Sequence, residues 1–186
     1  MYAGVILNSC RDSSSFPDFP LDPARYGDYF SHRLQLQYIH EYADHFKLKK
    51  HIRLRTKVLE CKPKPDATWS VRIQEDGKDA EDLEFGVVFT CIGHLSTPYT
   101  PDFKGLEKFK GHFLHSHYYR RPSPFEGKRV ALIGFGSSAV DIACEIAPQA
   151  TELHLVTKRG GWVLPRYALG KPVEAWDSES LLLGVK

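Results

Sequence analysis

A glycine-rich turn between two apolar segments constrains the fold of this chain most strongly. Residues 130–133 are a short apolar run, which predicts a buried parallel strand, and residues 134–139 follow at once with the pattern G-x-G-x-x-A. Apolar side chains then recur at helical spacing over residues 140–146. This strand–turn–helix order is the context in which the pattern predicts a dinucleotide-binding unit.

Each small residue of the turn has a predicted task. Gly134 allows the tight turn, Gly136 lets the backbone approach a pyrophosphate, and Ala139 leaves room for the helix to pack on the strand. The pyrophosphate would lie on the free N–H groups at the helix start, where the helix dipole favours negative charge. The alternative is a plain glycine turn in an ordinary α/β unit.

The segment after the helix predicts which dinucleotide is bound. Residues 151–159 form the expected second strand and its end, which carries Lys158 and Arg159 but no acid. An Asp or Glu at this place binds the ribose of NAD, whereas cations suit the 2′-phosphate of NADP. The pattern therefore favours NADPH. The alternative is that both side chains are solvated charges at a strand end.

Composition narrows the classes of partner. The net charge of +2 is too small to indicate nucleic acid or an anionic membrane as partner, and no apolar run approaches the length of a membrane span. The start of the chain lacks the features of a signal peptide. The four cysteines show no C-x-x-C spacing, which predicts reduced, buried thiols in a cytosolic chain.

The order of predicted elements indicates an α/β protein. We expect a short strand at residues 5–7, a loop at 13–25, a helix from Ser31 to about residue 46, strands at 52–59, 69–74 and 83–91, and a domain crossing near residue 98. This order is typical of a flavoprotein with two dinucleotide-binding domains. The predicted fold is a Rossmann-like NADPH half plus an incomplete FAD domain containing a β-meander. Its predicted domains are residues 1–97 and 98–186.

Phe109, Gly111, His115 and Tyr119 lie at the spacing F-x-G-x-x-x-H-x-x-x-(Y or F). This spacing resembles the identifying pattern of the flavin-containing monooxygenases that oxygenate nitrogen and sulfur, and it matches that pattern at every fixed position. Further segments that resemble landmarks of this family lie at residues 8–12, 16–20, 42–46, 91–94, 134–143 and 157–162. The resemblance covers roughly residues 2–167 and is specific because these patterns occur in the family's order.

The resemblance implies an FAD- and NADPH-dependent monooxygenase of the dimethylaniline type. Such an enzyme oxygenates a soft amine or sulfide with O₂ through a C4a-hydroperoxyflavin. Asn8 would lie at the junction of flavin and nicotinamide, as the catalytic candidate, and Ser9 would lie against FAD. The residues implied to bind NADPH are Gly134, Gly136, Ser137, Ser138, Ala139, Asp141, Lys158 and Arg159. From the residues alone, an Asn that closes a turn would be the favoured interpretation of Asn8, and Asp141 could compensate the helix dipole.

The chain also departs from the family pattern. Ser137 stands where the family usually has Asn, and Ile92 stands where it usually has Thr. The first change should leave phosphate binding intact, and the second removes a hydroxyl at the domain crossing. No FAD glycine turn precedes Gly111. We therefore expect a fragment or truncated form, with a short natural paralogue as the alternative.

Other functions stay open at this stage. A non-catalytic NADP-binding remnant is the main alternative, and a Baeyer–Villiger monooxygenase is disfavoured because its pattern has Trp where Tyr119 stands. His112, His115 and His117 could suggest a metal, but no Cys or carboxylate at fixed spacing completes a site. The expected location is cytoplasmic, or the cytosolic face of a membrane if a C-terminal anchor exists. The sequence predicts no oligomeric state.

Overall fold

The structure of the chain, a computed structural model, describes residues 1–175. Its helices are α1 (Arg11–Ser14), α2 (His32–His45) and α3 (Ser137–Ile146). Its strands are β1 (Thr56–Pro63), β2 (Trp69–Glu75), β3 (Glu81–Phe85), β4 (Arg129–Ile133), β5 (Glu152–Val156), β6 (Tyr167–Ala168) and β7 (Lys171–Pro172). Short 3₁₀ helices lie at Leu48–His51, Leu106–Lys108, Ser116–Tyr118, Ser123–Phe125 and Val173–Ala175.

The chain divides into two compact units. The first joins Met1–Tyr42 with the segment that starts at Pro98, and the second is Ala43–Thr97. The second segment of the first unit thus begins where the sequence predicted the domain crossing. The assignment of residues 1–97 and 98–186 to FAD and NADPH domains stays a prediction.

In the first unit, β4, α3 and β5 form the strand, helix and second strand predicted around the glycine turn. The two strands pair in parallel from Arg129 opposite Glu152 to Ile133 opposite Val156, and α3 connects them. A parallel pair needs such a crossover because the chain must return to the same end of the sheet. The predicted strand, turn and helix are all present.

Burial of this unit is one-sided. Ile142 and Ile146 of α3 are fully buried, and alternate residues Val130 and Leu132 of β4 pack against them. Ile133 remains 59% exposed. The prediction of a fully buried strand is therefore wrong, because successive side chains of a strand point to opposite faces and α3 covers only one of them.

Helix α2 confirms the helix predicted from Ser31. The Ser31 hydroxyl accepts a hydrogen bond from the Leu34 N–H at 3.4 Å, as an N-cap side chain does. Tyr38 is buried among Leu21, Tyr26 and Phe30, and Leu7, Phe19 and Leu34 surround this cluster. Its hydroxyl donates to the Phe19 carbonyl at 2.6 Å and accepts from the Phe16 N–H at 2.7 Å. The helix thereby holds the proline-rich loop before it.

The second unit contains a three-stranded antiparallel sheet in the order β1-β2-β3, which is a β-meander. Strand β1 begins at Thr56, four positions later than the predicted start at residue 52. Arg55 has a φ of 53°, in the left-handed region, which interrupts an extended strand. A register shift between Val58 and Glu60 adds a bulge that periodicity could not predict.

The strand predicted at residues 83–91 is wrong in its second half. Strand β3 ends at Phe85, and Val87, Phe89 and Ile92 are 67%, 84% and 81% exposed. Within residues 1–175 no strand pairs with this apolar run. An apolar run becomes a strand only where a neighbour satisfies its backbone hydrogen bonds.

The predicted strand at residues 5–7 is also reduced. Ile6 forms a single antiparallel bridge with Ser31, supported by hydrogen bonds from the Leu7 N–H to the Phe30 carbonyl and from the His32 N–H to the Val5 carbonyl. Helix α2 begins immediately after the bridge, so the pairing has no room to extend.

Candidate cofactor-binding site

The glycine turn lies at the carboxyl end of β4, as predicted. Gly134 has a φ of 126°, which L side chains rarely adopt, and its N–H donates to the Val156 carbonyl at 2.8 Å. That bond joins the turn to the end of the neighbouring strand. Gly136 is extended and caps α3, which begins at Ser137.

The start of α3 offers unused hydrogen-bond donors. The Gly136 carbonyl accepts the first helical bonds, from the N–H groups of Ala139 at 2.9 Å and Val140 at 3.2 Å. The N–H groups of Ser137 and Ser138 precede these bonds, and among the described residues no side chain caps the helix. These donors and the positive end of the helix dipole form a place for an anion.

The two turn glycines border open space. A Cβ added at Gly134 or at Gly136 would have no heavy atom of residues 1–175 within 4 Å. The backbone at Gly136 has a φ of −81°, which any residue adopts, so nothing in the described part of the chain requires glycine there. A pyrophosphate lying against the turn would supply the missing reason.

The loop after β5 packs against the turn. The ring of Phe135, the second residue of the turn, lies so close to Gly161 that an added Cβ would overlap it. Because of this contact, the end of β5 lies beside the turn. Gly161 was not singled out by sequence reasoning.

Lys158 and Arg159 follow β5 and are both exposed. The Thr157 hydroxyl donates to the Arg159 carbonyl and accepts from the Arg159 N–H, which fixes the backbone of this short segment. The carboxylate of Glu152 lies at the other end of β5, where it binds Arg129 at 2.6 Å. The two cations are therefore separated from that acid, an arrangement suited to an anionic ligand group.

Asp141 makes a contact within the protein. Its Oδ2 accepts a hydrogen bond of 2.7 Å from the hydroxyl of Tyr2. Burial first, and then this hydrogen bond, raise the pKa of Tyr2 well above its ordinary value. The residue thus ties the start of the chain to α3, and its predicted cofactor contact stays a prediction.

Glu145 lies one turn further along α3 and, like Asp141, accepts a hydrogen bond from a tyrosine. The hydroxyl of Tyr119, which is buried, donates to Glu145 Oε2 at 2.8 Å. Burial and this bond raise the pKa of Tyr119 well above its ordinary value. Glu145 Oε1 is buried without a hydrogen-bond partner and lies against the Cα of Gly4, where a Cβ would overlap it.

The residues of the identifying pattern have structural tasks. The Phe109 ring lies over Gly111, where a Cβ would overlap it. His115 Nδ1 accepts from the His117 N–H at 3.0 Å and so caps a short 3₁₀ helix. A cavity of about 220 Å³ lies along residues 112–125, apart from the predicted site residues. The residues of the pattern therefore shape the segment 109–119, whose Tyr119 packs against α3.

Asn8 and Ser9 are exposed in a second group of contacts. Asn8 Oδ1 accepts from Arg166 Nη2 at 3.3 Å. The next residue, Cys10, is buried, and its N–H donates to Glu174 Oε2 at 2.8 Å. The turn residues and the β5 end thus form one group, and Asn8 and Cys10, which flank Ser9, form another with the segment 166–174.

Sequence reasoning missed Glu145, Arg166 and Glu174. Glu145 was detectable in principle, because it lies four residues after Asp141 and so on the same helix face. Arg166 and Glu174 are more than 150 residues from their partners Asn8 and Cys10. No local pattern indicates such pairs.

Within residues 1–175, no group of three or more His, Cys, Asp or Glu side chains is arranged to hold a metal ion. The four cysteines are free thiols, but only Cys10 is buried, so the prediction of buried thiols is wrong for Cys61, Cys91 and Cys144. None of the helices found in the described part of the chain is long and apolar enough to cross a membrane.

Comparison with known proteins gives the class. A model of the flavin-binding monooxygenase-like family matches residues 1–177. The chain is 38% identical over 183 residues to dimethylaniline monooxygenase (N-oxide-forming) 2 of Cavia porcellus, and 39% identical over 184 residues to flavin-containing monooxygenase 1 of Homo sapiens. The alignments cover 95% of this chain and 34% of each relative.

Two solved structures agree with this class. S-allyl-L-cysteine S-oxygenase from Allium sativum superimposes with a TM-score of 0.80 at 25% identity, over 91% of this chain and 40% of that one. A structure of OTEMO in complex with FAD and NADP gives a TM-score of 0.61 at 26% identity, over 83% of this chain and 30% of that one.

The chain belongs to the flavin-binding monooxygenase-like family. This confirms the resemblance stated from the sequence, and the α/β class of the fold with it. The chain spans about a third of the length of the curated relatives that it matches.

Proposed function

We propose that this chain provides the NADPH-binding turn and the asparagine segment of an FAD- and NADPH-dependent monooxygenase that oxygenates soft nitrogen or sulfur nucleophiles with O₂. The names of the relatives support the reaction class, since one is N-oxide-forming and another is an S-oxygenase. The structure of OTEMO with FAD and NADP supports the cofactor pair. Location in the cytoplasm or on the cytosolic face of a membrane stays a prediction of the resemblance.

The observation on which the proposal rests most is the open glycine turn. Within residues 1–175, no contact requires glycine at position 136, and the N–H groups of the next two residues have no hydrogen-bond partner there. Donors at the start of a helix suit a pyrophosphate, and Lys158 and Arg159 beyond β5 suit a 2′-phosphate. The same arrangement disfavours NAD, whose free ribose hydroxyl requires an acidic partner.

The residues present fit these cofactors in the following way. The backbone of 134–138 would bind the pyrophosphate, and Arg159 with Lys158 would bind the 2′-phosphate. Asn8, whose amide supplies donors as well as an acceptor, would contact the flavin and nicotinamide rings. The bound cofactors supply the redox chemistry, and the protein binds and orients them and limits access of water.

The test is a titration of the purified 186-residue chain with NADPH and with NADH, followed by nicotinamide fluorescence. We expect tighter binding of NADPH, and we expect Arg159→Ala to remove most of this preference while leaving NADH binding unchanged. Arg129→Ala is the matched control, because that arginine lies at the opposite end of β4 and binds Glu152. FAD absorbance in the same sample reports whether flavin is retained.

A second variant separates binding from folding. Gly136→Ala should leave the melting temperature almost unchanged, because the new Cβ meets no protein atom. It should weaken NADPH binding by about tenfold or more, which corresponds to about 1.4 kcal/mol. A folded sample that binds neither nucleotide, or a Gly136→Ala variant with unchanged NADPH binding, contradicts the proposal.

A further inference from the structure

Arg166 contacts the candidate asparagine, Asn8, from a distant part of the sequence. Arg166 Nη2 donates to Asn8 Oδ1 at 3.3 Å across a separation of 158 residues. An amide offers a carbonyl oxygen on one side and an NH₂ group on the other, and a half-turn exchanges them. A cation at one side favours the orientation that places the oxygen toward it.

Arg166 is itself held by Tyr29. The Tyr29 hydroxyl donates to the Arg166 carbonyl at 2.8 Å, and the Arg166 guanidinium lies over the Tyr29 ring at 5.4 Å from its centre. Tyr167 packs edge-on against the same ring, with 5.5 Å between ring centres. One aromatic residue thus fixes both the backbone and the charged group of Arg166.

The segment that contains Arg166 is fastened at its other end as well. Glu174 Oε2 accepts from the Cys10 N–H and from the Ser13 hydroxyl, each at 2.8 Å. The segment 166–174 therefore has hydrogen bonds to residues 8–13 on both sides of Ser9. The Arg166 side chain is exposed, but it belongs to a segment that is held at both ends.

We propose that Arg166 is a positioning residue that holds the Asn8 amide with its oxygen toward the guanidinium and its NH₂ group directed away. This inference rests on the proposed function in giving Asn8 a role at the cofactors. It adds that Asn8 presents donors to its ligand. The ligand atom that Asn8 meets is then an acceptor, such as a carbonyl oxygen of the nicotinamide amide or of the flavin ring.

The sequence makes a direct test possible, because Asn8 is the single asparagine of the chain. Labelling only asparagine with a heavy nitrogen isotope gives one side-chain NH₂ signal in an NMR spectrum of the full chain. A cationic donor at the amide oxygen strengthens the double-bond character of the C–N bond. We therefore expect slow rotation of this NH₂ group and a shift away from the position of free asparagine.

Arg166→Ala should move the Asn8 NH₂ signal toward that of free asparagine and speed its rotation several-fold. Arg166→Lys keeps a charged donor, so its Asn8 signal should lie closer to that of the unaltered chain than the signal of Arg166→Ala does. Tyr29→Phe keeps the ring but removes the hydroxyl, and should give a smaller shift in the same direction. Arg121→Ala, the removal of another exposed arginine of the first unit, should leave the signal unchanged.

An Asn8 signal that is the same in Arg166→Ala and in the unaltered chain overturns the proposal. The backbone spectrum reports folding separately, and if Arg166→Ala fails to fold, a null effect of Tyr29→Phe on the Asn8 signal is decisive against it. Addition of NADP⁺ then distinguishes the two claims. A chain that shows the Arg166 effect without binding NADP⁺ supports the positioning contact and contradicts the proposed function.

Discussion

The β4–α3–β5 arrangement and the three-stranded sheet of the second unit are stabilised in different ways. The parallel pair packs one face against α3, and Tyr119, Ile142 and Ile146 are fully buried there. In the antiparallel sheet, Val71 and Ile73 of the central strand are buried, while Val58, Leu59 and Phe85 of its neighbours are exposed.

Polar contacts differ in part along the same division. In the first unit, the hydroxyls of Tyr2 and of the buried Tyr119 bind carboxylates on α3, while the exposed pair Arg129–Glu152 joins β4 and β5. On the sheet of the second unit, the contacts are exposed ion pairs such as Arg72–Asp82 and Lys64–Glu84. Exposed pairs contribute little because water and salt screen them, whereas a buried group is costly to leave unpaired.

The two regions differ in how much apolar surface they bury, and therefore in how much burial stabilises each of them. A sheet must bury one face against another layer to gain much from the hydrophobic effect, and α3 provides that layer for β4 and β5. The predicted cofactor turn therefore lies at the start of α3, within the region whose apolar face is buried. Rigid elements position a binding site more accurately than loops do.

The largest effect is expected from Ile146→Ala. This side chain is 1% exposed, so its truncation leaves a cavity between α3 and the strands. The expected loss is about 2–5 kcal/mol of unfolding free energy. Hydrogen exchange of the α3 amides measures it locally, while exchange of the β2 amides monitors the other unit. Equal losses in both units would contradict the division described above.

Tyr119→Phe should have the next largest effect. The variant keeps the ring but removes the donor to Glu145, whose second oxygen already lacks a hydrogen bond. A buried acceptor without a partner costs about 1–3 kcal/mol. Urea unfolding measures the loss, and Tyr118→Phe, at an exposed neighbouring tyrosine, is the matched control.

Alkaline pH tests the same contact without a new variant. The pKa of Tyr119 is raised in the folded protein, whereas in the unfolded chain the tyrosine ionises near its ordinary value of 10.0. Above that pH the unfolded state loses protons that the folded state retains, so stability is lost as pH rises toward the folded pKa. Tyr119→Phe should show a shallower decline above pH 10 than the unaltered chain. Identical declines would show that the hydroxyl contact contributes nothing.

The smallest effect is expected from Arg72→Ala. The guanidinium binds Asp82 through two hydrogen bonds of 3.0 and 2.8 Å, but both side chains are about half exposed. An exposed pair of this kind contributes about 0–1 kcal/mol, and less at high salt. Hydrogen exchange of the β2 amides, at low and at high salt, measures the change. A loss as large as that of Ile146→Ala would place the sheet's stability in its surface charges.

The sequence predicted the elements whose signals are local. The glycine turn, α3, the parallel pair and helix α2 were recognisable because a strand, a tight turn and a capped helix each leave a pattern within about 15 residues. Family membership followed from the same kind of signal, a fixed spacing that ends at Tyr119. The strand expected through residue 91 failed because apolar content alone does not supply a pairing partner.

The candidate site divides in the same way. Gly134, Gly136 and Arg159 were identifiable from their positions relative to a strand and a helix. Only the tertiary structure revealed that Phe135 packs on Gly161, that Glu145 receives the Tyr119 hydroxyl, and that Arg166 contacts Asn8.

The βαβ unit, its glycine turn and the sign of the charge beyond β5 thus follow from local sequence patterns. The contacts that hold these parts in place, such as Tyr2 with Asp141 and Arg166 with Asn8, emerge only in the folded chain. The two kinds of information differ in their range along the sequence. Backbone geometry and periodicity act over a few residues, whereas a hydrogen bond between residues 8 and 166 exists only after packing has brought both segments together.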